Sequence, residues 1–273
     1  MQWTRAGRAT AVRPRTMTTT KLPHVTVLFW VMKIAAVTLG ETGGDLLAQT
    51  LGIGYAISSL LFIGLFIVSL LTQLRARRFH PALYWTVIVS TSTAGTTMSD
   101  LMNRTAGLGY ARGALVLITC LGGIFAIWGL SGQTFSVERI STFSGELLYW
   151  FAILFSNTLG TSLGDFLADT SRLGFGGSAL LISVAMGLII AAYYRTRISA
   201  TFLFWTAFVL TRPWGATVGD LLTKPHVKGG LNLGTAGSSA TLTATLLLLI
   251  GYSLLRQRRG AGVEAVMVRS TGR

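Results

Sequence analysis

The sequence predicts an all-α, polytopic membrane protein: eight transmembrane helices built from four parallel two-helix repeats that group into two pseudo-equivalent halves. Three observations predict it. About half of the 273 residues are hydrophobic and only 12% are charged, against roughly 25% charged in an ordinary soluble domain. Eight apolar segments of roughly spanning length, about 17 to 25 residues, can be laid along the chain. One unit also recurs at a fixed interval: Trp30 precedes Asp45 by fifteen residues, as Trp85 precedes Asp100, Trp150 precedes Asp165 and Trp205 precedes Asp220.

Residues 1–24 are polar and rich in Arg and Thr, and they lack the apolar core of a signal peptide; they are expected to form a basic cytoplasmic tail. The membrane domain follows over 25–255, with repeats at about 25–78, 79–130, 144–197 and 198–255. Its spans centre on 25–42, 55–74, 83–97, 113–128, 147–161, 178–194, 202–217 and 239–255. The first helix of each repeat carries W-x9-G-x3-[GS]-D, and the second is plainer. Ten residues after each Trp stands Gly40, Gly95, Gly160 or Gly215, and four further on Gly44, Ser99, Gly164 or Gly219. Small residues four apart let helices approach closely, so these pairs are expected to be helix contacts. Pro213 is expected to kink or break the seventh span. The RQRR run at 256–259 is expected to end the eighth helix, leaving 256–273 as a second cytoplasmic tail.

Two spans per repeat bring the chain back to its starting side, so all four motif helices point the same way. The Asp-to-Asp spacings of 55, 65 and 55 residues mark two halves joined by a longer connection at 129–145. Sorting Lys and Arg by alternate loops gives sixteen on the side of the termini and six on the other. An excess of Lys and Arg marks the cytoplasmic side, so both termini are expected inside. The net charge of +14 is thus a topology signal, with membrane lipids as its expected partner. No stacking or groove-reading pattern points to nucleic acid.

Catalytic readings find no support. The strings TGGD, TMSD, SLGD and TVGD lack the first glycine of an intramembrane G-x-G-D motif, and there is no phosphate-binding G-x4-GK[ST] loop. The chain is therefore expected not to be an enzyme. Cys120 is expected to be a small buried apolar residue, the repeat Trp residues interfacial anchors, and His24, His80 and His226 lie near span ends without forming a metal cluster.

Fifteen residues place each Asp about 22 Å from its Trp along a helix. Residues four apart share a helix face. Stepping by four gives Lys33, Val37, Glu41, Asp45 and Gln49 on the first helix, and Ser92, Thr96, Asp100 and Arg104 on the third. The fifth gives Asn157, Thr161, Asp165 and Asp169, and the seventh Arg212, Ala216, Asp220 and Lys224. Such a stripe must face the bundle interior or a watery cavity, because a charge facing lipid costs several kcal/mol. It holds six of the nine acidic residues of the chain.

These residues point to cation or proton binding by Glu41, Asp45, Asp100, Asn157, Thr161, Asp165, Asp169 and Asp220. Their hard oxygen ligands suit manganese, magnesium or calcium. Glu41 with Asp45, and Asp165 with Asp169, are the expected metal ligands, since like charges clustered in a membrane call for a counter-ion. Lys33, Arg104, Arg212 and Lys224 are expected to pair charges or gate, with Asp220 flanked by Arg212 and Lys224. The function expected is secondary transport or export of a hard, manganese-like divalent cation coupled to protons. No cofactor is expected beyond a bound divalent cation. The alternative is a membrane scaffold or sensor subunit whose intramembrane charges only pair with one another.

The four W-x9-G-x3-[GS]-D units over residues 25–255 resemble a family of bacterial inner-membrane proteins described as four tandem copies of a two-helix repeat of unknown function. The resemblance implies the eight-span architecture and a bacterial cytoplasmic membrane. It implies no catalytic or binding residue.

Overall fold

The computed structural model describes residue 23 and residues 25–76, 78–140 and 142–271, except the side chains of 138 and 258–271. The tail expected over 1–24 thus lies almost wholly outside the described residues. Among these are eight long helices: α1 (Val27–Asp45), α2 (Tyr55–Arg75), α3 (Pro81–Asp100), α4 (Tyr110–Leu130), α5 (Phe143–Asp165), α6 (Gly174–Arg195), α7 (Ala200–Thr223) and α8 (Thr235–Thr271). Five stretches are long and apolar enough to cross a membrane: Val27–Thr50, Tyr55–Arg75, Tyr110–Leu130, Gly174–Arg195 and Thr235–Gln257. That is the composition of a membrane protein. α3, α5 and α7 are less apolar for a physical reason: a helix enclosed by other helices can carry polar side chains that lipid never meets.

α1, α3, α5 and α7 form a closed ring, in which each packs against two of the others. The motif glycines make that approach possible. A Cβ on Gly95 would lie 2.9 Å from the backbone of Asn157, and one on Gly215 would lie 2.6 Å from Val37 Cγ2. Gly40 meets Ser92, and Gly160 meets Arg212, in the same way. Each glycine thus abuts the residue three positions before the glycine of the next motif helix. This one contact, made four times, closes the ring. It is the packing role expected of the small-residue pairs.

The second helix of each repeat packs on the motif helix of the next: α2 on α3, α4 on α5 and α6 on α7, while α8 returns to α1. Short connections at 76–80 and 196–199 dictate the first and third of these neighbours. Their outward faces are aliphatic, with Leu60, Val68, Leu115, Leu180 and Leu248 all exposed. Cys120 is exposed as well, not buried as its size suggested.

Just past its Asp, each of the first three motif helices loosens into a π turn, Leu46–Thr50, Leu101–Thr105 and Phe166–Thr170. The chain then reverses through left-handed positions at Gly52, Gly107 and Arg172. α7 differs because Pro225 forces Lys224 into an extended conformation, with ψ 152°, and the helix stops there.

Three further expectations need correction. Pro213 lies inside α7 without breaking it, held by packing against α1, α5 and α6. α8 runs on as helix through Thr271 instead of ending at the basic run. The repeat tryptophans are not interfacial anchors: Trp85, Trp150 and Trp205 are buried and Trp30 is half-buried. They belong to an aromatic floor across one end of the ring, in which Trp205 packs on Trp128 (5.5 Å) and Trp30 on Phe204 (5.6 Å). The half-joining connection folds beneath that floor, with Val137 and Ile140 buried and the carbonyl of Phe135 accepting from Trp205 Nε1 at 3.0 Å. Apolar area inside the bundle outweighs the usual preference of Trp for the headgroup level.

Candidate cation site in the helix ring

The step of four that defines the polar stripe marks the inner face of the ring, and it continues further than the charges do. From the Asp end inwards, the four helices contribute matched layers. Asp45, Asp100, Asp165 and Asp220 come first, all buried. Beneath them lie Glu41, Thr96, Thr161 and Ala216, and then Val37, Ser92, Asn157 and Arg212. Lys33, Ile88, Ile153 and Phe208 follow. Phe29, Tyr84, Tyr149 and Phe204 close the stack, with the Tyr84 and Tyr149 hydroxyls 2.6 Å apart. Those last two layers, apart from Lys33, are the part of the stack that polar-stripe reasoning missed. The same four-residue step, applied without regard to polarity, finds them.

Arg212 is the bolt of the stack. Fully buried, it donates from Nη1 to the Val37 carbonyl (3.1 Å) and Glu41 Oε2 (3.2 Å), and from Nη2 to the Ser92 carbonyl (2.9 Å) and Thr96 Oγ1. Glu41 Oε2 also accepts from Thr96 and Thr161 hydroxyls, each at 3.1 Å. One ion pair thus ties together helices from all four repeats. Arg212 pairs with Glu41 on the neighbouring α1, not with Asp220 as its place in sequence suggested. One turn inwards, Lys33 is fully buried, its Nζ lacks a hydrogen-bond partner among the described residues, and it lies 3.9 Å from the Phe208 ring centroid.

The outermost layer contains two seats. In the first, between α1 and α7, Lys224 Nζ lies 2.5 Å from Asp45 Oδ2, 3.2 Å from Asp220 Oδ1 and 3.4 Å from Gln49 Oε1. Gln49 also donates to Asp45. In the second, between α3 and α5, Arg104 Nε lies 2.9 Å from Asp100 Oδ1 and Nη2 3.4 Å from Asp165 Oδ2. Each base answers the Asp one turn before it and the Asp of an adjacent motif helix. Four aspartates share two bases.

Of the metal-ligand pairs expected from the sequence, Glu41 with Asp45 stays together and gains Asp220, while Asp165 and Asp169 fall outside that group. Glu41, Asp45 and Asp220 bring one carboxylate oxygen each within 4.8 Å of the others. Asp165 stands on the other side of the ring with Arg104, and Asp169 is exposed in its π turn. Asn157 donates to Thr91 Oγ1 at 3.0 Å, below the aspartate layer, while Thr161 serves Glu41.

Comparison with known families agrees with the fourfold reading. A family model described as Repeat of Unknown Function (DUF347) matches the chain four times, over residues 28–79, 83–134, 148–199 and 203–259. No curated protein and no solved structure matches the chain.

Proposed function

We propose that this chain, which belongs to the Repeat of Unknown Function (DUF347) family, is a proton-coupled secondary transporter that exports a hard, manganese-like divalent cation. It would sit in a bacterial inner membrane as eight spans in two related halves, with both termini cytoplasmic. One observation carries the proposal: the Lys224 ammonium is seated among oxygens of Asp45, Asp220 and Gln49, with Glu41 completing the carboxylate group. A seat that already holds one cation among hard oxygen ligands is chemically suited to another. The divalent ion would displace Lys224, whose side chain is partly exposed (15%). The charge balance supports the same reading. Four buried aspartates face two bases, and protons or a divalent ion would make up the difference. Asp100 and Asp220, beside Arg104 and Lys224, would exchange the protons.

The rival, a scaffold or sensor subunit, is favoured by a different observation: Glu41, Asp45, Asp100, Asp165 and Asp220 each have a base within 3.4 Å. Metal content separates the two. Cells expressing the wild type should accumulate less manganese than cells expressing Asp45→Asn with Asp220→Asn, at equal protein level. Equal content across a panel of divalent ions would leave only the scaffold.

A further inference from the structure

At the opposite end of the ring from the aspartates, the junction of α2 and α3 opens into a groove of about 480 Å³ lined by Thr72, Arg75, Ala76, Arg78, His80 and Leu83. Among the described residues, neither Arg75 nor Arg78 has a carboxylate within salt-bridge distance. Both are exposed. Arg75, Arg78 and His80 therefore line one opening, with neither Arg paired to a carboxylate among the described residues. Arg75 lies in the last turn of α2, and His80 precedes the first turn of α3. The groove does not end in water on all sides. Leu83 and Ala76 supply an apolar lining, and the exposed aliphatic face of α2, with Leu71, Val68 and Leu65, leads from it along the bundle.

We infer that this groove binds the phosphate headgroup of an anionic phospholipid, with the acyl chains lying along the outer face of α2. Charge complementarity selects the occupant's sign, since guanidinium groups hold phosphate oxygens bidentately. The adjoining aliphatic face selects an amphiphile over a free anion. The site lies away from the aspartate ring and does not depend on transport.

The test uses the full-length protein, delipidated in a non-ionic detergent, with phosphatidylglycerol or phosphatidylcholine added and bound lipid counted by native mass spectrometry. Phosphatidylglycerol should be retained and phosphatidylcholine should not. Arg75→Gln with Arg78→Gln should weaken retention about thirtyfold, from about 1 kcal/mol for each of the two basic residues. Arg195→Gln with Arg197→Gln, which changes exposed basic residues at the α6–α7 junction, should weaken it less than twofold. Equal loss in both double variants would mean diffuse attraction and overturn the site. So would displacement of the lipid by millimolar inorganic phosphate at constant ionic strength, which would assign the groove to a free anion. Should the groove variant misfold, a photoactivatable phosphatidylglycerol added to the wild type should label residues 72–83; labelling spread evenly over the α2, α4, α6 and α8 faces would overturn the proposal equally.

Discussion

The two seats in the aspartate layer are built from the same repeat, yet they differ in the base that fills them. Arg104 holds Asp100 and Asp165 through separate nitrogens and lies 5.7 Å from the ring of Tyr110. A planar guanidinium bound on two edges and set over an aromatic face is a fixed strut. Lys224 is a point charge on a flexible stem, placed where Pro225 has already ended its helix. It also has a third carboxylate, Glu41, beside its two partners. Repetition supplies the frame, and the choice between Lys and Arg decides which side of the ring holds its aspartates with a flexible point charge.

Removal of Arg212 should break both seats at once, because it anchors the layer beneath them. Arg212→Met strands Glu41 as a buried, unpaired charge and should cost about 3 to 5 kcal/mol, the usual penalty for breaking a buried pair. Thermal unfolding in detergent measures it. Arg212→Met with Glu41→Leu should recover much of the loss, since no charge is then stranded; a double variant as unstable as the single would show that Arg212 acts through packing alone.

The helix contacts under the two seats should also respond unequally to one added methyl group. On the α3–α5 side, a Cβ at Gly95 meets Asn157 backbone, which cannot yield. On the α7–α1 side, a Cβ at Gly215 meets first the Val37 γ-methyl, with backbone 3.2 Å away. Gly95→Ala should therefore cost about 2 to 3 kcal/mol and Gly215→Ala about 1 kcal/mol, within the range for overpacking. Equal melting temperatures would remove the mechanical distinction between the two sides.

The electrostatic difference is tested by removing each base. Lys224→Met leaves Glu41, Asp45 and Asp220 with one base fewer and should tighten manganese binding about tenfold by calorimetry, a change of about 1.4 kcal/mol. Arg104→Met should change affinity less than threefold, because among the described residues Asp100 and Asp165 have no third carboxylate grouped with them. Tighter binding in Arg104→Met than in Lys224→Met would reverse the assignment of exchange seat and strut.

Much of this frame was legible in the sequence because it is periodic. The fifteen-residue Trp-to-Asp interval and the glycine pairs located the motif helices, and the step of four located their inner faces. Partner choice was not legible. Arg212 lies eight residues from Asp220 in sequence but reaches Glu41, 171 positions away, because α7 packs against α1 only once the ring has closed. Asp169 shares a four-residue step with Asp165, yet the π turn after Asp165 turns its side chain outwards. The tryptophans misled for a related reason. Composition shows that an aromatic residue lies near a span end, but not that the long connection folds over that end and buries it.

The smallest expected effect concerns the turn after Asp165, on the strut side. Arg172 has φ 62°, a left-handed conformation that Gly52 and Gly107 adopt at the matching positions of the first two repeats. A residue with a Cβ pays roughly 1 to 2 kcal/mol in that region, and glycine does not. The unfolded chain offsets part of this difference, because glycine loses more backbone freedom on folding. Arg172→Gly should therefore stabilise the protein by about 0.5 to 1 kcal/mol, seen as a rise of a few degrees in melting temperature. Manganese affinity should stay at the wild-type value, since Lys224 and its oxygens lie across the ring. Relieving backbone strain beside one seat without touching the other is the mildest way to show that the two are independent, and a shift in metal affinity with Arg172→Gly would show that they are coupled.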